Sequence, residues 1–250
     1  MLKLILSPSI VCLVSIYFIF SFGQQVKADD LNYPENKLTS PIIAQNQKPR
    51  LKFKLPDRGV PNARIGGATR SLTKPVVAII PSEKIALTNS ESPTIFVYIS
   101  KNEAISGSVK ISNESGKELY SSEFKLPEKT GILRIKLPKT LNLETNKLYK
   151  WEVKLNFKDN NPIVASKYRT FGWLEKVSLK EDVSTKETWA NLNVLAEAGI
   201  WYDTLEQLAI LRLENPEDKD IQVEWTELLK SVGLNNVADS DILSEVVIIN

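Results

Sequence analysis

The 250-residue chain has no histidine, one cysteine and one methionine. Without histidine, Ser-His-Asp and Cys-His catalysis are excluded, and the commonest general acid–base is missing. Zinc, copper and haem centres normally draw on His or Cys, so no such cofactor is expected. The lone Cys12 cannot close an intramolecular disulfide, and stability must come from a packed core. Carboxylate pairs, Ser-Lys pairs and oxygen-ligand calcium sites stay open. Hydrophobic residues make up 42% and charged residues 25%, as in a globular chain.

The N-terminus carries the layout of a secretory signal peptide over residues 1–28. Lys3 precedes the apolar run "LILSPSIVCLVSIYFIFSF", and Val26 and Ala28 are small residues before a cleavage point. An uncleaved anchor is the other reading, because the run is nearly long enough to span a bilayer. Pro8 and the serines weaken it as a span. Cleavage after Ala28 would remove Cys12. The expected location is the periplasm, cell surface or medium, with membrane contact only through an uncleaved leader.

Residues 29–55 are polar and aperiodic and read as a disordered or extended linker. Residues 56–73 form an Arg/Gly-rich loop, "PDRGVPNARIGGATRS" through Ser71. Arg58, Arg64 and Arg70 sit among Gly66, Gly67 and Gly59. Glycine backbone N–H groups and forked guanidinium donors can cradle an anion. A P-loop is excluded because the Gly-Lys-Ser/Thr ending is missing. The alternative is an ordered loop whose arginines pair with acidic helices.

Residues 74–178 change to short strands separated by polar turns. "TIFVYIS" is β-branched and aromatic, as a buried strand should be. "LYKWEVKLNF" alternates Tyr149, Trp151, Val153, Leu155 and Phe157 with Lys150, Glu152 and Lys154, one dry face and one wet. Seven such strands predict an antiparallel immunoglobulin-like β-sandwich, so the fold class is α+β. Leu143 and Tyr149 have the spacing of a tyrosine corner, although the turn lacks its usual proline.

Residues 179–234 predict three helices, and residues 235–250 a tail of uncertain structure. Ser184 and Glu187 form a capping box. Trp189, Leu192, Leu195 and Ala196 make the first buried stripe, and Gly199 ends it. The second helix covers about 202–214. Trp201, Leu205, Leu208, Ala209 and Arg212 share a face, and Ile210, Leu211 and Leu213 widen it, which predicts a helix covered on two sides. The third covers about 220–231 and stops at Gly233. Gly199, the aromatics after it, Ala209 and Asn215-Pro216 resemble a tetratricopeptide hairpin. There are only one and a half such units, so the hairpin must lean on the strand section or bind another helix in trans; the expectation is a three-helix appendage packed on the sandwich through Trp189, Trp201 and Trp225.

The order of pieces is itself informative. "RIGGATR", "GIWYDTLEQLAILR" and "WTELLKSVGL", with the strands between them, resemble the cyanobacterial family called domain of unknown function 928. The resemblance covers roughly residues 59–234. It implies an exported cyanobacterial protein and lends no activity or catalytic residues.

Net charge is +2, but residues 29–74 and 75–178 each carry roughly +5 and residues 179–250 roughly −10. Either the two halves dock on each other, or the acidic end meets a basic partner. The leading functional expectation is a non-catalytic interaction or scaffold protein. Its partner surface would be Trp201 and Tyr202, rimmed by Asp203 and Glu206. The partner is an unidentified protein or envelope polysaccharide. Nucleic acid is not expected, since the basic residues are spread along strand edges. The alternative is an anion or anionic-polysaccharide binder through Arg58, Arg64, Gly66, Gly67 and Arg70. A carboxylate hydrolase is the third reading. Its least implausible acids are Glu152 and Glu175, both at positions expected to face water.

Overall fold

A computed structural model describes residues 50–57, 75–82, 84–158, 167–179, 188–246 and 248–249. The leader, most of the linker, the Arg/Gly loop and the Ser184–Glu187 box lie outside the described residues.

The strand section begins with β1 (Val76–Ala78), β2 (Ala86–Thr88), β3 (Thr94–Ile99) and β4 (Ser106–Asn113). It continues with β5 (Glu118–Phe124), β6 (Gly131–Lys136), β7 (Leu148–Asn156) and β8 (Arg169–Lys176). Three helices follow: α1 (Thr188–Glu197), α2 (Trp201–Glu214) and α3 (Lys219–Ser231). The tail adds β9 (Ile242–Glu245) and β10 (Ile248–Ile249). One sheet has the order β1-β3-β6-β9, the other β10-β5-β4-β7-β8-β2. The α+β class with a sandwich-like β part holds.

The purely antiparallel expectation does not. β2 pairs with β8 in parallel, and β9 pairs with β6 in parallel. Parallel neighbours need long connections, and here the intervening strands and helices supply them. Alternation of apolar residues reports which way side chains face. It does not report the direction of the neighbouring strand. The tail, left uncertain by its sequence, contributes an edge strand to each sheet.

Period-two patterning was read correctly in β7, where Tyr149, Trp151, Val153 and Leu155 are buried and the residues between them are not. Behind Trp151 sits Gly172 of β8, where any Cβ would fall 2.4 Å from the indole. The Glu144 N–H donates to the Tyr149 hydroxyl at 2.8 Å, closing the turn ahead of β7, and Leu143 is buried beside it. Gly116, at φ +87°, makes the β4–β5 turn, where Asn113 Oδ1 accepts from Lys117 N at 2.9 Å.

β3 is covered on both faces. Ile95, Val97 and Ile99 face one way, and Phe96 on the other meets the Trp225 ring of α3 at 6.4 Å. The helices therefore lean on the four-stranded sheet.

α1 and α3 stop in the same way. Gly199 (φ +72°) and Gly233 (φ +81°) take left-handed conformations. In each case the next N–H reaches back to the helix, Ile200 N to Leu195 O at 2.9 Å and Leu234 N to Leu229 O at 3.0 Å. Asp218 caps α3 by accepting from Asp220 N and Ile221 N. α2 departs from expectation: Ile210 and Leu213 remain exposed, at 36% and 43%. Its last turns have cover on one side only.

The described end of the linker, residues 50–55, is docked on the fold. From Arg50 to Pro56 the chain lies extended along the helices, with Leu51 and Phe53 packed on the core and Lys52 and Lys54 exposed. This is a two-residue alternation inside a stretch otherwise free of pattern, short enough to be lost in the polar average around it.

Candidate functional site

The proposed partner surface proves to be interior. Trp201 and Tyr202 are 0% and 1% exposed. The reason lies in the turn before them: only Ile200 separates the Gly199 stop from α2, so the first turn of α2 is driven straight into the sheets. The indole N–H of Trp201 donates to Ile79 O at 2.9 Å. The Tyr202 hydroxyl accepts from Trp151 Nε1 at 2.7 Å and donates to Trp173 O at 3.0 Å. Burial pushes the Tyr202 phenol far above its ordinary range, so it keeps the proton that this second bond requires.

Asp203 and Glu206 are not a rim around an apolar patch. Asp203 Oδ2 accepts from Thr88 Oγ1 at 2.7 Å and from Asn89 N at 3.1 Å. Asn89 Oδ1 in turn accepts from Leu179 N at 3.1 Å, tying in the chain that leaves β8. Desolvation by burial pushes the Asp203 carboxyl up to about 6, against the pull of its hydrogen bonds, and the neighbouring Glu206 charge adds to the rise. Glu206 pairs with Lys136 of β6 at 2.7 Å. The four residues are brought together as a joint that fastens the helices to both sheets. Lys136–Glu206 and Arg50–Glu224 also join the basic part of the chain to the acidic part, which favours docking within the chain as the meaning of the charge split.

The hydrolase acids fare no better as a pair. Glu152 is partly buried and sits 3.6 Å from Arg169. Glu175 was expected to face water but is 4% exposed, in register with Leu87 and Leu148 beside the cluster of Ile85, Leu195 and Ile200. Glu152 is in register with Phe171, four residues along β8 from Glu175. At about 3.3 Å per residue the two are roughly 13 Å apart along the strand. Acids acting across a glycosidic bond stand roughly 5–9.5 Å apart.

Two open grooves mark the β part. One, of about 620 Å³, is lined by Leu119, Leu141, Asn142, Glu144, Lys147 and Tyr149. The other, of about 330 Å³, is lined by Lys101, Asn102, Ile105, Leu126 and Lys129 among others. Among the described residues no group of three or more His, Cys, Asp or Glu is arranged to hold a metal ion. The candidate anion site at Arg58, Arg64, Gly66, Gly67 and Arg70 lies outside the described residues. No described helix is long and apolar enough to cross a membrane.

Sequence reading missed Glu224, which is 5% exposed and bonded to the Arg50–Pro56 segment through both carboxylate oxygens. Its position gave some signal: Glu224 lies beside Trp225 and Leu228, near the apolar stripe of α3.

Comparison with known proteins adds three findings. No curated protein matches the chain. A solved structure, the fn3 domain of the human collagen alpha-1(XX) chain, aligns over 54% of this chain and 97% of that one, at 11% identity and a TM-score of 0.24. A likeness that low carries no argument. The family model described as Domain of Unknown Function (DUF928) matches residues 58–242, which takes in β1 to β8, all three helices and the joint between them. By that match the chain belongs to the DUF928 family.

Proposed function

We propose that this protein is an exported, non-catalytic interaction module of a cyanobacterial envelope. Its partner is a protein, contacted through the far end of α2. The observation that carries the reading is the exposed pair Ile210 and Leu213. They stand three residues apart, hence side by side on the helix surface. Arg212 between them is turned the other way, over the Trp225 ring at 5.4 Å. An apolar pair on a helix that is bolted down at its other end is presented rigidly, which limits the entropy lost on binding.

The leader over residues 1–28 supports export. An immunoglobulin-type sandwich is supported by the order β1-β3-β6 facing β5-β4-β7-β8, with the Glu144–Tyr149 bond ahead of β7. A tetratricopeptide-like hairpin is supported by the Gly199 start and the Asn215-Pro216 end of α2.

The test is a pull-down from the envelope of the native host. The full exported chain is the bait, and Ile210→Ser/Leu213→Ser is the control bait. A protein held by the first bait and lost by the second is the expected result. Retention of polysaccharide alone, or of the same proteins by both baits, would sink the reading.

A further inference from the structure

The segment Arg50–Pro56 is seated as a peptide is seated in a receptor. It is extended, and two of its backbone N–H groups meet fixed acceptors on the helices. Leu51 N donates to Glu224 Oε2 at 3.0 Å, and Lys54 N donates to Ala196 O, in the last turn of α1, at 3.0 Å. The Arg50 guanidinium takes the other oxygen of Glu224 at 3.1 Å. The Phe53 ring stands edge-on to Trp201 with centroids 5.2 Å apart. Gly199 leaves the room the chain needs, because a Cβ there would come within 2.5 Å of Lys54 O.

What the groove reads follows from what touches it. A cation is read at 50 and apolar side chains at 51 and 53. Main-chain N–H groups are read at 51 and 54, and a proline close to Gly199 at 56. Lys52, Lys54 and Leu55 are exposed and are not read. Glu224 is central to the recognition. It is a carboxylate buried on the helix side, and the partners described for both its oxygens come from the segment. A charge in that position is costly unless it is hydrogen-bonded.

We propose that the groove formed by Ala196, Gly199, Trp201 and Glu224 is a peptide-binding site of pattern Arg-Leu-x-Phe-x-x-Pro. It is filled in cis by residues 50–56 and accepts the same segment from a second copy of the chain. The second copy is the occupant because its segment is the one shown to fit, and because a basic segment meets an acidic helical section. A tethered segment competes at an effective concentration on the order of millimolar. Exchange between copies is therefore visible when each cis pairing is weakened on one side only. This proposal concerns a surface separate from Ile210 and Leu213, and it stands or falls separately.

The experiment mixes two full-length variants. Leu51→Ser/Phe53→Ser spoils the segment and leaves the groove intact. Glu224→Lys spoils the groove and leaves the segment intact. Light scattering should report one-chain mass for each variant alone and two-chain mass for the equimolar mixture, with association at least tenfold tighter in the mixture. Adding a synthetic peptide of residues 50–56 should return the mixture to one-chain mass. If Leu51→Ser/Phe53→Ser does not melt cooperatively, Arg50→Glu is the milder segment variant. Two folded variants whose mixture stays at one-chain mass overturn the proposal. So does a mixture in which the peptide binds the groove but the chains never associate, since the second copy is then not the occupant.

Discussion

The two ends of α2 have opposite fates. Its first turn puts Trp201, Tyr202, Thr204 and Leu205 wholly inside the molecule and carries three hydrogen-bonding side chains that reach both sheets. Its last turns leave Ile210 and Leu213 in solvent. The helix is thus buried all round at its start and covered on one side only at its end, where Arg212 still packs over Trp225. Its apolar residues cannot be given one meaning. In the first turn they are structural, and in the last turns only Ile210 and Leu213 are available.

The strongest way to break that asymmetry is Trp201→Ala. It removes a fully buried indole, its bond to Ile79 O and the surface under Phe53, and should cost about 3–5 kcal/mol by chemical denaturation. A loss below about 1 kcal/mol would mean that the first turn is not the anchor.

Asp203→Asn should act in the other direction. Burial pushes the folded carboxyl up to about 6 from its ordinary value of 3.8. Between those pH values the folded state keeps a proton that the unfolded state has lost. Stability is therefore fully present below about pH 4 and declines as pH rises through 6. The Asn variant should flatten that decline and gain up to about 3 kcal/mol at neutral pH. Parallel stability-against-pH curves for the two proteins would refute it.

Tyr202→Phe leaves Trp151 Nε1 and Trp173 O without the hydroxyl and should cost about 1–3 kcal/mol with no change in fold. On the exposed side of the last turns, Ile210→Ser/Leu213→Ser should move stability by about 0.5 kcal/mol or less. A large loss there would show that the exposed end is also structural and would remove the ground for a docking role.

Much of the β part was legible because a strand has only two faces and alternation assigns them. Tyr149, Trp151, Val153 and Leu155 needed nothing else. The turn closed by the Tyr149 hydroxyl on Glu144 N was partly legible, because the spacing of Leu143 and Tyr149 marks a turn of fixed length. The helix stops at Gly199 and Gly233 followed from residue chemistry, since left-handed backbone selects glycine. Parallel pairing of β2 and β9 was not legible, because neither strand's own residues encode which distant neighbour it meets. Nor was the burial of Glu175. It lies on the nominally wet face of β8, which is dry where α1 contributes Leu195 to the cluster beside it. The joint was misread for a related reason. Aromatics and acids at the start of a helix look like a binding surface until the sheet that accepts them is in view.

By itself the sequence determined the chemistries open to this protein, the class of fold, the inward faces of its strands and the points where its helices stop. These depend on residue type and on spacing along the chain. The tertiary structure alone decided that Trp201 to Glu206 is a joint, that Glu224 holds residues 50–56, and that the last turns of α2 are covered on one side only. Each of these depends on which distant segment arrives to exclude water, and short-range periodicity carries no record of that.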